Sequence, residues 1–131
     1  MTLRPHQIRA IEAVRAVYRA GRRRCLLVMP TGAGKTYTAA ELIRSSVARG
    51  HRVLFLVHRR EIVMDTHRRL VVAGVACGLV MAGVAPSEAP VQVASVQTVA
   101  AREEHPAADL VVWDEAHHTA AESYRAIAAQ Y

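Results

Sequence analysis

A three-layer α/β/α domain with a mostly parallel sheet is the architecture this sequence predicts, and three observations carry it. Short, mainly apolar runs recur at Cys25–Met29, Val53–Val57, Val91–Ser95 and Leu110–Trp113, the pattern of strands buried on both faces. Stretches with apolar residues at helical spacing separate them. A glycine turn at 32–34 and a carboxylate pair at Asp114-Glu115 follow two of the runs, at the carboxyl ends where parallel sheets bind ligands.

Taken in order, Ile8, Ile11, Val14, Val17 and Tyr18 form one face of an amphipathic helix that opens near Pro5, a residue favoured in a first turn. Gly21 and the run Arg22-Arg23-Arg24 end it and lead into the first strand. A second helix runs from Lys35 to about Arg49 and stops at Gly50. The strand Val53–Val57 follows. A third helix then holds Ile62, Asp65, Thr66 and Leu70 and carries Arg59, Arg60, Arg68 and Arg69. Gly78–Met81 is a short strand, and a loop follows around Gly83, Pro86 and Pro90. After the strand Val91–Ser95 come a short helix over Val96–Arg102 and a polar loop over Glu103–Ala108. The strand Leu110–Trp113 and a helix over Ala121–Gln130 complete the pattern, without internal repeats.

The 131 residues suit one domain, 1–131, with a core of its own. A hydrophobic content of 52% with only 5% aromatics means that Ala, Val, Leu and Ile build that core. Nothing resembles a membrane span or a secretory signal, so a cytoplasmic protein without membrane contact is expected. Cys25 and Cys77 lack metal-ligand spacing and are expected as buried apolar residues. Charge divides the chain. Residues 1–70 hold 15 basic against 4 acidic side chains, and residues 71–131 hold 2 against 7. The basic half suits a polyanionic partner, nucleic acid being the commonest, or else a solvated arginine-rich surface.

The turn Pro30-Thr31-Gly32-Ala33-Gly34-Lys35-Thr36 lies between strand and helix, the setting of a phosphate-binding loop. Gly32 and Gly34 let successive N–H groups, with those of Thr31 and Ala33, converge on phosphate oxygens. The helix that follows adds its positive dipole end. Lys35 is placed to reach the β- and γ-phosphates, and the Thr36 hydroxyl to bind Mg²⁺. The full GxxxxGK[ST] pattern has glycine where this chain has Met29. Even so, Lys35 is the single lysine among 17 basic residues, and a compact ammonium is what fits among phosphates. Asp114 and Glu115 leave a buried strand, where carboxylates are costly unless employed. Beside a phosphate loop, Asp114 suits Mg²⁺ and Glu115 suits polarising the attacking water. The plainer alternative is a helix N-cap.

Asp114-Glu115-Ala116-His117 spells DEAH, and with the glycine loop the chain resembles the first RecA-like lobe of a superfamily 2 helicase. The nearest pattern is the bacterial and phage group around RadD-like proteins and restriction-enzyme motor subunits. The resemblance covers nearly the whole chain and implies a P-loop NTPase fold that uses ATP and Mg²⁺, with Lys35, Asp114, Glu115 and His117 in the catalytic set. Leu3-Arg4-Pro5-His6-Gln7 resembles the group's adenine-reading motif, which implies nucleotide contact at Arg4 and Gln7. Val57-His58-Arg59-Arg60-Glu61 resembles motif Ia and Ser95-Val96-Gln97-Thr98 motif Ic. These imply backbone contacts to nucleic acid, DNA rather than RNA, at His58, Arg59, Arg60, Gln97 and Thr98. His117 then links the nucleotide site to a second RecA-like lobe, and His118 is expected at the surface. That second lobe and the motif III that precedes it are expected outside 1–131. The chain is then a truncated ATP-binding domain, or one whose partner lobe acts in cis or in trans.

Overall fold

In the computed structural model, residues 4–21, 35–85, 87–101, 107–114, 125, 127 and 129 are described. The expected strand Cys25–Met29, the glycine loop, the carboxylate Glu115 and most of the last helix lie outside them. Helix α1 spans Pro5–Arg19 and α2 Lys35–Ala48. Strand β1 covers Val53–Val57, a 3-10 turn Arg60–Ile62 and α3 Val63–Val72. Strand β2 covers Gly78–Val80, β3 Val91–Ser95, α4 Val96–Ala101 and β4 Leu110–Trp113.

The four strands form one sheet in the order β2-β3-β1-β4, parallel throughout. Strand β1 is interior and pairs with β3 from Val53↔Val91 to Val57↔Ser95, and with β4 from Val53↔Leu110 to Leu56↔Trp113. Its five residues are all buried, which is why the run carries no polar alternation. Successive side chains leave by opposite faces. Val53, Phe55 and Val57 join Val91 and Val93 under Ala40 and Ile43 of α2 and Val63 and Leu70 of α3. Leu54, Leu56 and Ala94 pack on the other face against Val96 and Val99 of α4 and against Ile127. The α/β/α layering expected from the sequence is therefore the observed one. Among the described residues no helix is long and apolar enough to cross a membrane.

The connections from α2 to β1 and from β1 to the 3-10 turn are short. Gly50, at φ +83°, takes the left-handed conformation that closes α2, and its N–H reaches the Val47 carbonyl at 2.9 Å. The segment expected as one helix around Ile62 begins instead as the tight turn Arg60–Ile62, and α3 starts at Val63. Helix α1 docks on α2 through buried Ile11 and Val14, and Arg15 donates to Ser45 Oγ at 2.8 Å. Cys77 differs from the expectation. It is half-buried, because it sits in the α3–β2 connection rather than inside a strand. Its carbonyl accepts from His67 Nε2 at 2.8 Å. Burial pushes its thiol up to about 11.

The loop from β2 to β3 is pinned by Gln92, a buried strand residue whose Nε2 donates to the carbonyls of Ser87 at 3.0 Å and Ala89 at 2.8 Å. A Cβ on Gly78 would lie 2.6 Å from Ser87 Cβ and 2.8 Å from Gln92 Oε1. Gly78→Ala should therefore cost about 1–3 kcal/mol of stability through overpacking, read from the urea midpoint. Adding Ser87→Gly should recover part of that loss, and an unchanged midpoint for the single variant would show that the loop yields freely.

The thiol gives a second test. The folded state holds Cys77 neutral, so its contribution is present below the unfolded pKa, near the ordinary 9.0, and fades as pH rises toward about 11. In a Cys25→Ser background, iodoacetamide at pH 8 should label the folded chain on the order of 10- to 100-fold more slowly than the urea-unfolded chain.

Candidate functional site

A parallel sheet gathers its strand ends, and here three of them carry the residues singled out above. The register aligns Val57 with Ser95, and Asp114 N–H donates to the Leu56 carbonyl at 2.9 Å, one step past Trp113. Ser95, Val57 and Asp114 thus stand in a row at the carboxyl edge. With strands about 4.8 Å apart, that row spans roughly 10 Å. Asp114 is half-buried there. His58 leaves β1 next to it, half-buried, and is followed by exposed Arg59 and Arg60.

Helix α2 reaches the same edge by its other end. Its last turn leads through Gly50 and Arg52 into the start of β1, at the amino edge of the sheet. Its 14 residues span about 21 Å, longer than a five-residue strand, so Lys35 opens α2 at the carboxyl edge. The Lys35 side chain is exposed. Thr36 is the second helical residue, and its side chain lies outside the described set, as do Thr31, Gly32, Ala33, Gly34, Glu115, His117 and His118.

The 3-10 turn Arg60–Ile62 packs against α4. Ser95, 1% exposed, caps α4, its Oγ accepting the Thr98 N–H at 3.1 Å. The same hydroxyl donates to Thr98 Oγ1 at 2.9 Å. Gln97 is exposed and Thr98 half-buried. The motif residues of β1 and β3 are therefore neighbours, although 37 or more positions separate His58 and Arg60 from Gln97 and Thr98 in sequence. Ser95 had no assigned role in the sequence; the signal for it was a Ser-x-x-Thr spacing where an apolar run turns into a helix.

Gln7 was expected to meet adenine. It is 5% exposed, and its Oε1 accepts the Arg4 N–H at 2.7 Å while its own N–H reaches the Arg4 carbonyl at 2.9 Å. It thereby closes the start of α1, the reciprocal arrangement in which a Gln three residues into a helix satisfies an orphan donor. Arg4 itself is exposed. Among the described residues no group of three or more His, Cys, Asp or Glu side chains could hold a metal ion.

Gln7→Ala leaves the Arg4 N–H without its acceptor and should cost about 1 kcal/mol, measured as a lower unfolding midpoint. Unchanged stability would mean that water serves that N–H equally well.

Comparison with solved structures fits this architecture. The UvsW helicase from bacteriophage T4 superposes with a TM-score of 0.78 at 20% identity, over 98% of this chain and 48% of that one. A Sulfolobus solfataricus SWI2/SNF2 ATPase core in complex with dsDNA gives 0.79 at 15% identity, over 97% and 29%. The type ISP restriction-modification enzyme LlaGI, as a nuclease-deletion mutant in complex with a DNA substrate mimic, gives 0.71 at 20% identity, over 89% and 15%. The chain thus spans about half or less of the length of these proteins. No curated protein sequence matches it. Residues 1–131 match throughout the family ResIII, type III restriction enzyme, res subunit, and the chain belongs to that family, with the α/β fold of the structures above.

Proposed function

We propose that residues 1–131 are the nucleotide-binding lobe of an ATP-dependent DNA helicase or translocase, in which ATP hydrolysis drives movement along nucleic acid. The observation that carries this reading is the shared carboxyl edge, where Lys35 opens α2 and Asp114 stands beside the exits of β1 and β3. Lys35 and the 31–34 backbone hold the phosphates, and the Gln7 amide reads adenine with Arg4 nearby. Thr36 and Asp114 offer a hydroxyl and a carboxylate, the hard oxygen donors that suit Mg²⁺, and the position of Asp114 at the strand end fits that use. When bound there, the ion neutralises phosphate charge. Glu115 orients and polarises the attacking water, and His117 passes the state of the site to a second lobe.

Arg59, Arg60, His58, Gln97 and Thr98 hold a strand by its backbone, which positions it without reading sequence. DNA is favoured because two of the structurally similar proteins were captured with duplex DNA or a DNA substrate mimic. A cytoplasmic location belongs to the same reading. Motif III and a second lobe, in cis or in trans, complete the enzyme and supply cations to the γ-phosphate. Groups of that kind are worth roughly 10³–10⁵ in rate at comparable sites.

The test is steady-state ATPase with single-stranded DNA. Residues 1–131 alone should bind ATP with Mg²⁺, turn it over barely above background and unwind nothing; a supplied second lobe should restore turnover. Glu115→Gln should then abolish hydrolysis and spare binding, while Lys35→Ala should weaken nucleotide binding by about 1.5–3 kcal/mol. Gln7→Ala should erode the preference for ATP over GTP, and Arg59→Ala with Arg60→Ala should flatten the salt dependence of DNA affinity. Turnover that survives Glu115→Gln would overturn the catalytic assignment.

A further inference from the structure

We propose that Arg15 is a positioning residue for the nucleotide base: by anchoring α1 on α2 it sets where the Gln7 amide stands, and so how strongly ATP is preferred over GTP. The inference rests on the reading of Gln7 as the adenine contact and adds the group that fixes its place. Gln7, Ile11, Val14 and Arg15 fall within an arc of about 100° around α1. The face that docks on α2 therefore carries the base reader as well. Half-buried Arg15 donates from Nη2 to Ser45 Oγ of α2 at 2.8 Å. The sense of that bond is fixed, since a guanidinium only donates.

Apolar contact alone would leave the pose of α1 loosely set, because hydrophobic attraction has no direction. Among the described residues, Ile11 and Val14 belong to neither of the apolar clusters that enclose the sheet. The strand register that aligns the carboxyl edge therefore does not by itself fix this helix. The bond from Arg15 to Ser45 is directional and does. Eight positions separate Gln7 from Arg15, a lever of about 12 Å. A tilt of about 5° about Ser45 would carry the amide about 1 Å, more than the whole N–H···O range of about 2.7–3.2 Å allows. Telling adenine from guanine asks for that accuracy. The amide must meet N7 and the N6 amino group together, and guanine puts an oxygen acceptor where adenine has a donor. Ser45 lies on the helix that Lys35 opens, so the same bond ties the base reader to the phosphate-contacting lysine.

Titration calorimetry of the 131-residue chain with ATP and with GTP, each with Mg²⁺, tests this. Arg15→Met keeps an unbranched apolar stem and removes the donor; Ser45→Ala removes the acceptor. Each should lower the preference for ATP over GTP about 3- to 10-fold, the range of one hydrogen bond, with GTP affinity unchanged. The double variant should lose no more than Arg15→Met alone. In a Gln7→Ala background, Arg15→Met should leave the preference where it is and still lower the unfolding midpoint, because the tie between the helices is lost in either background. ATP and GTP affinities that fall together in Arg15→Met would mean that the bond serves the fold alone, and would overturn the proposal. So would a wild-type preference in both Arg15→Met and Ser45→Ala where Gln7→Ala has erased it. If Gln7→Ala keeps the full preference for ATP, adenine reading at Gln7 fails, and the role of Arg15 falls with it.

Discussion

Strand β1 is the constraint on which the rest depends. It pairs on both sides, its residues are 0–4% exposed, and it supplies apolar side chains to both packed layers. Because the period of a strand is two, a slip of one residue against β3 or β4 would exchange the Val53, Phe55, Val57 set with the Leu54, Leu56 set. Neither helix layer would then fit. The register that preserves two cores also places Ser95, Val57 and Asp114 level with one another. The alignment of the candidate site is thus a by-product of packing, and no bond within the site need hold it.

That division explains what sequence could and could not reveal. The strands Val53–Val57, Val91–Ser95 and Leu110–Trp113 were legible to the residue, because each is a mainly apolar run of strand length. The end of α2 was legible because only glycine takes φ +83° without strain. The turn Arg60–Ile62 was not, since Arg-Glu-Ile suits an α-helix as well as a 3-10 turn. Nor was the partial exposure of Cys77, which depends on how short β2 is rather than on the thiol. Pattern locates elements; it does not carry the packing of the Arg60–Ile62 turn on α4.

Two site residues do structural work in addition to any chemistry. Gln7 closes the first turn of α1, and Ser95 closes that of α4. Each makes its capping bond with an oxygen, and each keeps a further polar function on the same side chain. A substitution at either position therefore mixes two effects, and loss of binding alone cannot separate them. Affinity and stability must be measured on the same variants.

The charge imbalance of the first 70 residues resolves into unlike populations once the side chains are placed. Arg15 holds Ser45, Arg44 reaches Glu41 and the Ala73 carbonyl, Arg52 reaches the Ala89 carbonyl, and Arg69 pairs with Asp65. These arginines join neighbouring elements or pair within a helix, and exposed ion pairs among them add little stability. Arg59 and Arg60 are exposed on the segment that leaves β1 at the carboxyl edge, and exposed charges act over about a Debye length (about 8 Å at physiological salt). A net charge summed over sequence gives both populations equal weight. Placement does not, and it is the second population that can act on a polyanion at the strand ends.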